Sequence, residues 1–345
     1  MRKKLTKTLG LVLFITVSIV LMSGCGFTYV INATNRLDRK DAKEFNIDKT
    51  KVEPITDIKI HTGIAEVELL EADDFYVEIE YLYWEEEPEY SFENGRLIFD
   101  DSECFPNSYS INFNLDNHIR IYLPKESHLN NINIEDASGD VNINGFIAED
   151  LNITVSYGDF TMKEAAALEA DITLSSGSSK ITDFQVSELN FTNSYGNASF
   201  TDINTKLLRL EEGTEWKYFK VTMSSGDVNI KGLITNSIDI TDSYGDITMN
   251  TLTTNDLELN LSSGNCELVQ CDAVTTDIRN SYGDVTLQVL GASDDYSLDL
   301  DTSYGKIRVG ENRYEDHVNI QGNGTRKIKT ELSSGDVVVD FIENK

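Results

Sequence analysis

From residue 137 to residue 340 the chain places apolar side chains at every second position, in short runs that restart at regular intervals. Each run follows a Ser/Ala-[Ser/Tyr]-Gly step whose glycines are Gly139, Gly158, Gly177, Gly196, Gly226, Gly245, Gly264, Gly283, Gly305 and Gly335. The intervals are 19, 19, 19, 30, 19, 19, 19, 22 and 30 residues, so a 19-residue repeat carries three insertions. Two residues past the glycine stand Val141, Phe160, Ser179, Ala198, Val228, Ile247, Cys266, Val285, Ile307 and Val337. Four past it stand Ile143, Met162, Ile181, Phe200, Ile230, Met249, Leu268, Leu287, Val309 and Val339, all apolar. This alternation predicts a half-buried strand. A second strand falls at glycine plus 12 to 16, as in Leu151, Ile153, Val155 and again in Leu257, Leu259, Leu261.

A unit of two short strands joined by polar bends cannot stand alone, because its few buried side chains do not offset the entropy of ordering 19 backbones. Stacking resolves this: equivalent residues form columns, and backbone groups pair between neighbours. The prediction is an all-β chain, a β-solenoid of about ten 19-residue two-strand units over residues 129–345. With one unit per coil and ~4.8 Å per coil the rod would be on the order of 48 Å long. The residue before glycine alternates through Ser138, Tyr157, Ser176, Tyr195, Ser225, Tyr244, Ser263 and Tyr282, then reads Tyr304 and Ser334. Two units per coil would stack Tyr on Tyr in a rod half as long, and both arrangements fit the pattern. Residues 51–128 hold strand-like runs, Ile55 to Leu70 and His118 to Leu123 among them, outside the 19-residue register. They are expected to form an N-terminal β cap over the otherwise unpaired edge.

The N-terminus carries an address. Arg2, Lys3, Lys4 and Lys7 precede the apolar run Leu9 to Met22, which ends at Leu21-Met22-Ser23-Gly24-Cys25. That is the layout of a secretory signal, and the ending resembles the lipobox at which a bacterial lipoprotein is cleaved and its Cys lipidated. The run is short for the ~20 residues of a spanning helix. The expected division is a signal peptide at 1–24, a lipidated Cys25 with a tether at 25–50, the cap and the repeat domain. An uncleaved anchor, or a secretory signal with an incidental Cys, is the alternative.

Composition sharpens the picture. The chain has 29 Lys+Arg against 59 Asp+Glu, a formal charge of −30. Removing residues 1–24 takes away four cations and no acids, leaving −34. Such a body repels a phosphate backbone, so nucleic acid is not an expected partner. It is also repelled by anionic headgroups, so the membrane would be met through lipid on Cys25 and not through the polypeptide.

Ser303-Tyr304-Gly305-Lys306-Ile307-Arg308-Val309, then Gly322-Asn323-Gly324 leading through Lys327-Ile328-Lys329-Thr330 to Ser333-Ser334-Gly335-Asp336-Val337, resemble the bacterial putative-adhesin family of β-strand repeats, a domain of unknown function. Ile58-Lys59-Ile60-His61-Thr62-Gly63 is similar to its first strand, and the resemblance covers roughly residues 55 to 341. It implies a β-solenoid in the envelope, often near envelope-stress genes, and supplies no catalytic residues.

Candidate chemistry is sparse. Asp140, Asp159, Asp227, Asp246, Asp284 and Asp336 stand one past their glycines, with Asn197 and Asn265 in the same column. Stacked carboxylates could hold calcium, whereas the plainer reading is turn chemistry at a tight bend. Cys266 and Cys271 align with core positions and read as small hydrophobes, and Cys104 has no evident partner. His61, His118, His128 and His317 match no zinc or triad pattern, so no metal or cofactor is expected. The insertion Glu211 to Lys220 carries Trp216, Tyr218 and Phe219, a candidate ligand-contact loop or a loop folded back on the rod.

The expected function is that of a non-enzymatic, adhesin-like interaction module on the extracytoplasmic face of the bacterial cell membrane, with an envelope, glycan or protein partner. The alternatives are an accessory envelope-stress sensor and a β-helix polysaccharide lyase, which would need acids and bases gathered on one exposed face.

Overall fold

A computed structural model describes residues 35–106, 109–110, 115–204 and 217–342. Among them regular structure is strand throughout, apart from two single 3-10 turns at Arg39–Asp41 and Ser293–Asp295. Parallel pairing dominates. Val141 lies beside Phe160, Phe160 beside Ser179, and Ser179 beside Ala198, each partner 19 residues on. One unit is therefore one coil, and the arrangement with two units per coil is excluded.

Each coil has three sides where the alternation predicts two. Within Phe160–Ser176 the ladder to the next coil runs through 160–163, breaks at Glu164, resumes at 165–167, breaks at Leu168, and continues from Glu169. The additional side is only three residues long, too short to show a period of two. The break at Glu164 is a left-handed corner, φ 52°, repeated at Gly145, Asp183, Asp202, Gly232, Thr251 and Gln270.

The inward columns are continuous. One runs Ile119, Val67, Val141, Phe160, Ser179, Ala198, Val228, Ile247, Cys266, Val285, Val337, Ile307, with every member buried. Its eleven steps at ~4.8 Å give a rod of roughly 53 Å. A second runs Phe99, Ile60, Ile134, Ile153, Ile172, Phe191, Val221, Ile240, Leu259, Ile278, Thr330, Leu300. Thr330 interrupts this apolar seam; it is fully buried and its hydroxyl has no hydrogen-bond partner. Replacing it with Val should stabilise the protein by about 1 kcal/mol, measured by denaturant unfolding, because an unpaired buried hydroxyl is removed at nearly constant volume.

Both ends are built out of sequence order. The coil containing Gly335 lies between those of Gly283 and Gly305, since Val337 pairs with Val285 on one side and Ile307 on the other. At the other end, strands Asp57–Thr62 and Glu66–Ala72 sit between the coil of Arg96–Asp100 with His118–Pro124 and the coil that begins at Ser127. Much of the segment expected as a separate cap thus belongs to the rod. Its register is hidden in sequence because antiparallel strands interrupt it, Tyr76–Tyr83 and Glu89–Glu93 among them. These strands, with His317–Ile320 and Asn312–Tyr314 at the far end, cover edges that would otherwise be open.

Part of the span 25–50, expected as a tether, is regular structure. Lys43–Lys51 pairs antiparallel with Tyr76–Tyr83, and Phe45 packs on Tyr90 with ring centroids 6.1 Å apart. Two apolar residues in a polar stretch, Phe45 and Ile47, are enough to dock it against the core.

Candidate functional site

The most regular exposed feature is the glycine corner. Its geometry starts from close approach: a Cβ added at Gly158, Gly177 or Gly264 would lie 1.8 to 1.9 Å from the carbonyl oxygen of the glycine one coil earlier. Only glycine lets the coils stack here. The following residue locks the register. Asp159 N–H donates to Asp140 Oδ1 at 2.8 Å, Asp246 N–H to Asp227 at 3.0 Å, and Asn265 N–H to Asp246 at 2.7 Å. Asp336 N–H then donates to Asp284 and Lys306 N–H to Asp336, both at 2.8 Å, following the spatial and not the sequence order. The Asp/Asn column is turn chemistry extended into a side-chain ladder.

Three residues before glycine a polar side chain enters the interior at Asp136, and then in alternate coils from Asn193 onward. Asn193 Nδ2 donates to the carbonyls of Gly177 at 2.9 Å and Gly196 at 3.2 Å, and its Oδ1 accepts the Tyr195 N–H. Asn280 does the same with Gly264, Gly283 and Tyr282. Asp136 and Asp242 occupy equivalent places: Oδ1 accepts the N–H of Ser138 or Tyr244, while buried Oδ2 has no partner. Burial pushes the Asp136 carboxyl up to about 7 and that of Asp242 to about 6, with neighbouring carboxylates adding to each.

On the outside of this corner stands a row of tyrosines. In spatial order the column reads Ser138, Tyr157, Ser176, Tyr195, Ser225, Tyr244, Ser263, Tyr282, Ser334, Tyr304. The irregularity of the sequence order, Tyr304 before Ser334, vanishes in space. Tyr157, Tyr195, Tyr244, Tyr282 and Tyr304 are 67, 47, 67, 66 and 81% exposed, the intervening serines of the stacked coils only partly so. The edge is a comb of aromatic rings at every second coil.

Other sequence-derived candidates fall elsewhere. Cys25 and Trp216 lie outside the described residues. Tyr218 and Phe219 are not loop residues: they open strand Tyr218–Met223, and Phe219 is fully buried, its ring 5.1 Å from Phe200, so it belongs to the core and offers no ligand contact. Cys266 and Cys271 are buried in the columns of Ile247 and Leu252, with burial pushing the Cys271 thiol up to about 12. Cys104 is also buried, its thiol likewise raised to about 12. His128 is exposed. His61 faces Glu135 at 3.3 Å.

Strand pairing also gathers two groups that sequence spacing hides, Glu66, Glu68 and His118, and Asp299, Asp301 and His317. Arg120 Nε already donates to Glu68 at 2.8 Å, and His317 Nδ1 meets Asp301 at 2.7 Å, so both groups read as polar contacts between neighbouring strands at the rod's ends. Glu164, Asp183 and Asp202 line a shallow groove along the left-handed corner, and Lys125 reaches Glu164 at 3.9 Å.

The sequence model described as Toastrack DUF4097 matches residues 55–213 and again 182–340. No curated protein matches the chain. Among solved structures, a putative adhesin from Bacteroides fragilis is 12% identical, with a TM-score of 0.35 over 89% of this chain and 99% of that one. A putative cell adhesion protein from Clostridium sporogenes is 8% identical, with a TM-score of 0.21 over 87% and 99%. A putative lipid binding protein from Parabacteroides distasonis is 13% identical, with a TM-score of 0.23 over 89% and 100%. The two overlapping family matches reflect the repeat, since the same columns fit at two positions along one rod.

Proposed function

Because the chain belongs to the Toastrack DUF4097 family, we propose that it works as that family's repeat permits, as a non-enzymatic, adhesin-like interaction rod held at the extracytoplasmic face of the bacterial membrane. The observation that carries this reading is the tyrosine comb: one exposed group repeated at a fixed spacing along a hydrogen-bonded rod. Such repetition suits binding to an extended partner through many weak contacts. Signal peptide 1–24 and Cys25 supply the address, and the residues between Cys25 and the strand at Lys43 supply the tether. No helix among the described residues is long and apolar enough to cross a membrane; in this reading lipid on Cys25 carries the attachment.

Cys25→Ser is expected to abolish fatty-acid labelling and to move the protein from the membrane pellet to the soluble exported fraction of a bacterial host. A variant that stays in the pellet would refute lipid anchoring, and glycan turnover by the purified protein would refute the non-enzymatic reading.

A further inference from the structure

Among the described residues the tyrosine comb is a regular exposed feature that the stacking of the coils does not itself call for. The residue three before glycine explains the alternation inside the rod, because Asn193 and Asn280 bind glycine carbonyls there. Nothing in that slot requires an aromatic ring outside it, since Ser138 follows the polar Asp136 at its corner while Tyr157 follows the apolar Val155 in the next coil. The alternation follows space even where the chain leaves sequence order, with Ser334 between Tyr282 and Tyr304. What the comb keeps constant is a distance, two coil rises or ~9.6 Å between successive tyrosines.

We infer that this edge binds an uncharged, extended β-1,4-linked glycan, one disaccharide per two coils, with alternate sugar rings stacked on Tyr157, Tyr195, Tyr244, Tyr282 and Tyr304. This inference rests on the interaction-module reading and names its ligand class. An extended β-1,4-linked chain repeats each disaccharide at close to the two-coil spacing. Aromatic rings present flat apolar faces to the C–H face of a sugar, with a hydroxyl at the rim for hydrogen bonding. Flanking polar groups complete the match. Asp159, Asp227, Asp246 and Asp284 are exposed, and those whose Oδ1 accepts the ladder N–H keep their other oxygen as an acceptor for sugar hydroxyls. The same carboxylates, on a chain of formal charge −30, repel anionic polymers and a second copy of the rod.

The test uses the full-length protein in detergent and soluble β-1,4-linked glucose oligosaccharides of two, four and eight sugars, read by calorimetry. Affinity should rise roughly tenfold or more from two sugars to eight, as successive rings engage. The α-1,4-linked octasaccharide, which curls, should not bind comparably. Tyr195→Ser, Tyr244→Ser and Tyr282→Ser together place at three corners the residue that neighbouring coils already carry, so the fold and Tm should be kept while binding falls at least tenfold. Unchanged binding by the triple variant, equal affinity for the α-linked chain, or no dependence on length would overturn the inference. So would a dimer in sedimentation that the triple variant dissolves, because the comb would then serve self-association. Fatty-acid labelling and membrane retention of the unsubstituted protein are read in parallel; their persistence with no glycan binding by that protein would leave the envelope-rod reading standing and reject only this ligand.

Discussion

Replacing Asp136 and Asp242 with Asn is expected to stabilise the protein by roughly 3 kcal/mol per site at pH 8, and by less than about 1 kcal/mol per site near pH 4. Both side chains occupy the slot where Asn193 and Asn280 donate an amide N–H to glycine carbonyls. A carboxylate cannot donate; a neutral carboxyl can, through the oxygen that otherwise lacks a partner. Burial therefore holds the proton on, raising the pKa from 3.8 to about 7 for Asp136 and about 6 for Asp242. A raised carboxyl pKa gives stability that is complete below the unfolded value of 3.8 and is lost as pH climbs through the folded value. Asn does not titrate, so its advantage over Asp grows between about pH 4 and pH 7 and is then flat. The variant-minus-wild-type difference is the quantity to measure, by urea unfolding across that range. It cancels the general self-repulsion of so acidic a chain, which also weakens folding as pH rises. A difference that stays constant with pH would show that neither carboxyl is held neutral in the fold.

The same slot shows what a sequence can and cannot reveal. The inward columns are legible because two sides of each coil are long enough to alternate, as in 160–163 and 170–174. The third side is not: Ala165, Ala166 and Ala167 are all buried in a stretch between two corners. The exchange of order at the C-terminal end was written in the chain as the broken alternation Tyr282, Tyr304, Ser334, which strand swapping in space repairs. Aligning the position three before glycine would have paired Asp242 with Asn193 and Asn280, though only coordinates show the carbonyls it faces. The expectation that Phe219 belongs to a contact loop fails for a related reason. Phe219 is one residue inside a strand whose first ladder partner is Glu188, and no spacing rule marks where an insertion rejoins the rod. The alternation of Tyr and Ser is legible in the chain, but its exposure is not, because exposure at a corner is set by the bend and not by residue type.

Gly245→Ala should cost roughly 3 kcal/mol or more, and Gly245→Val more again, seen as a large drop in Tm. The cause is close approach and not backbone conformation. Gly245 does not have a left-handed φ, yet a Cβ there would lie 2.1 Å from the Gly226 oxygen, 2.7 Å from its carbonyl carbon and 2.8 Å from Asp242 Oδ2. None of these atoms can retreat cheaply. Gly226 N–H donates to Tyr244 at 2.9 Å and Gly245 N–H to Ser263 at 3.1 Å, so both backbones are fixed between neighbouring coils. The opposite case sits in the same molecule: Gly310 has φ +56° and open space around its Cβ position, so Gly310→Ala should cost only about 1 to 2 kcal/mol of conformational strain. Glu164, Asp183 and Thr251 already hold φ between 51 and 61° at the left-handed corner, so this backbone carries such strain without glycine. Equal losses for the Gly245 and Gly310 alanine variants would mean that conformation, and not the contact between successive glycines, sets the stacking of the rod.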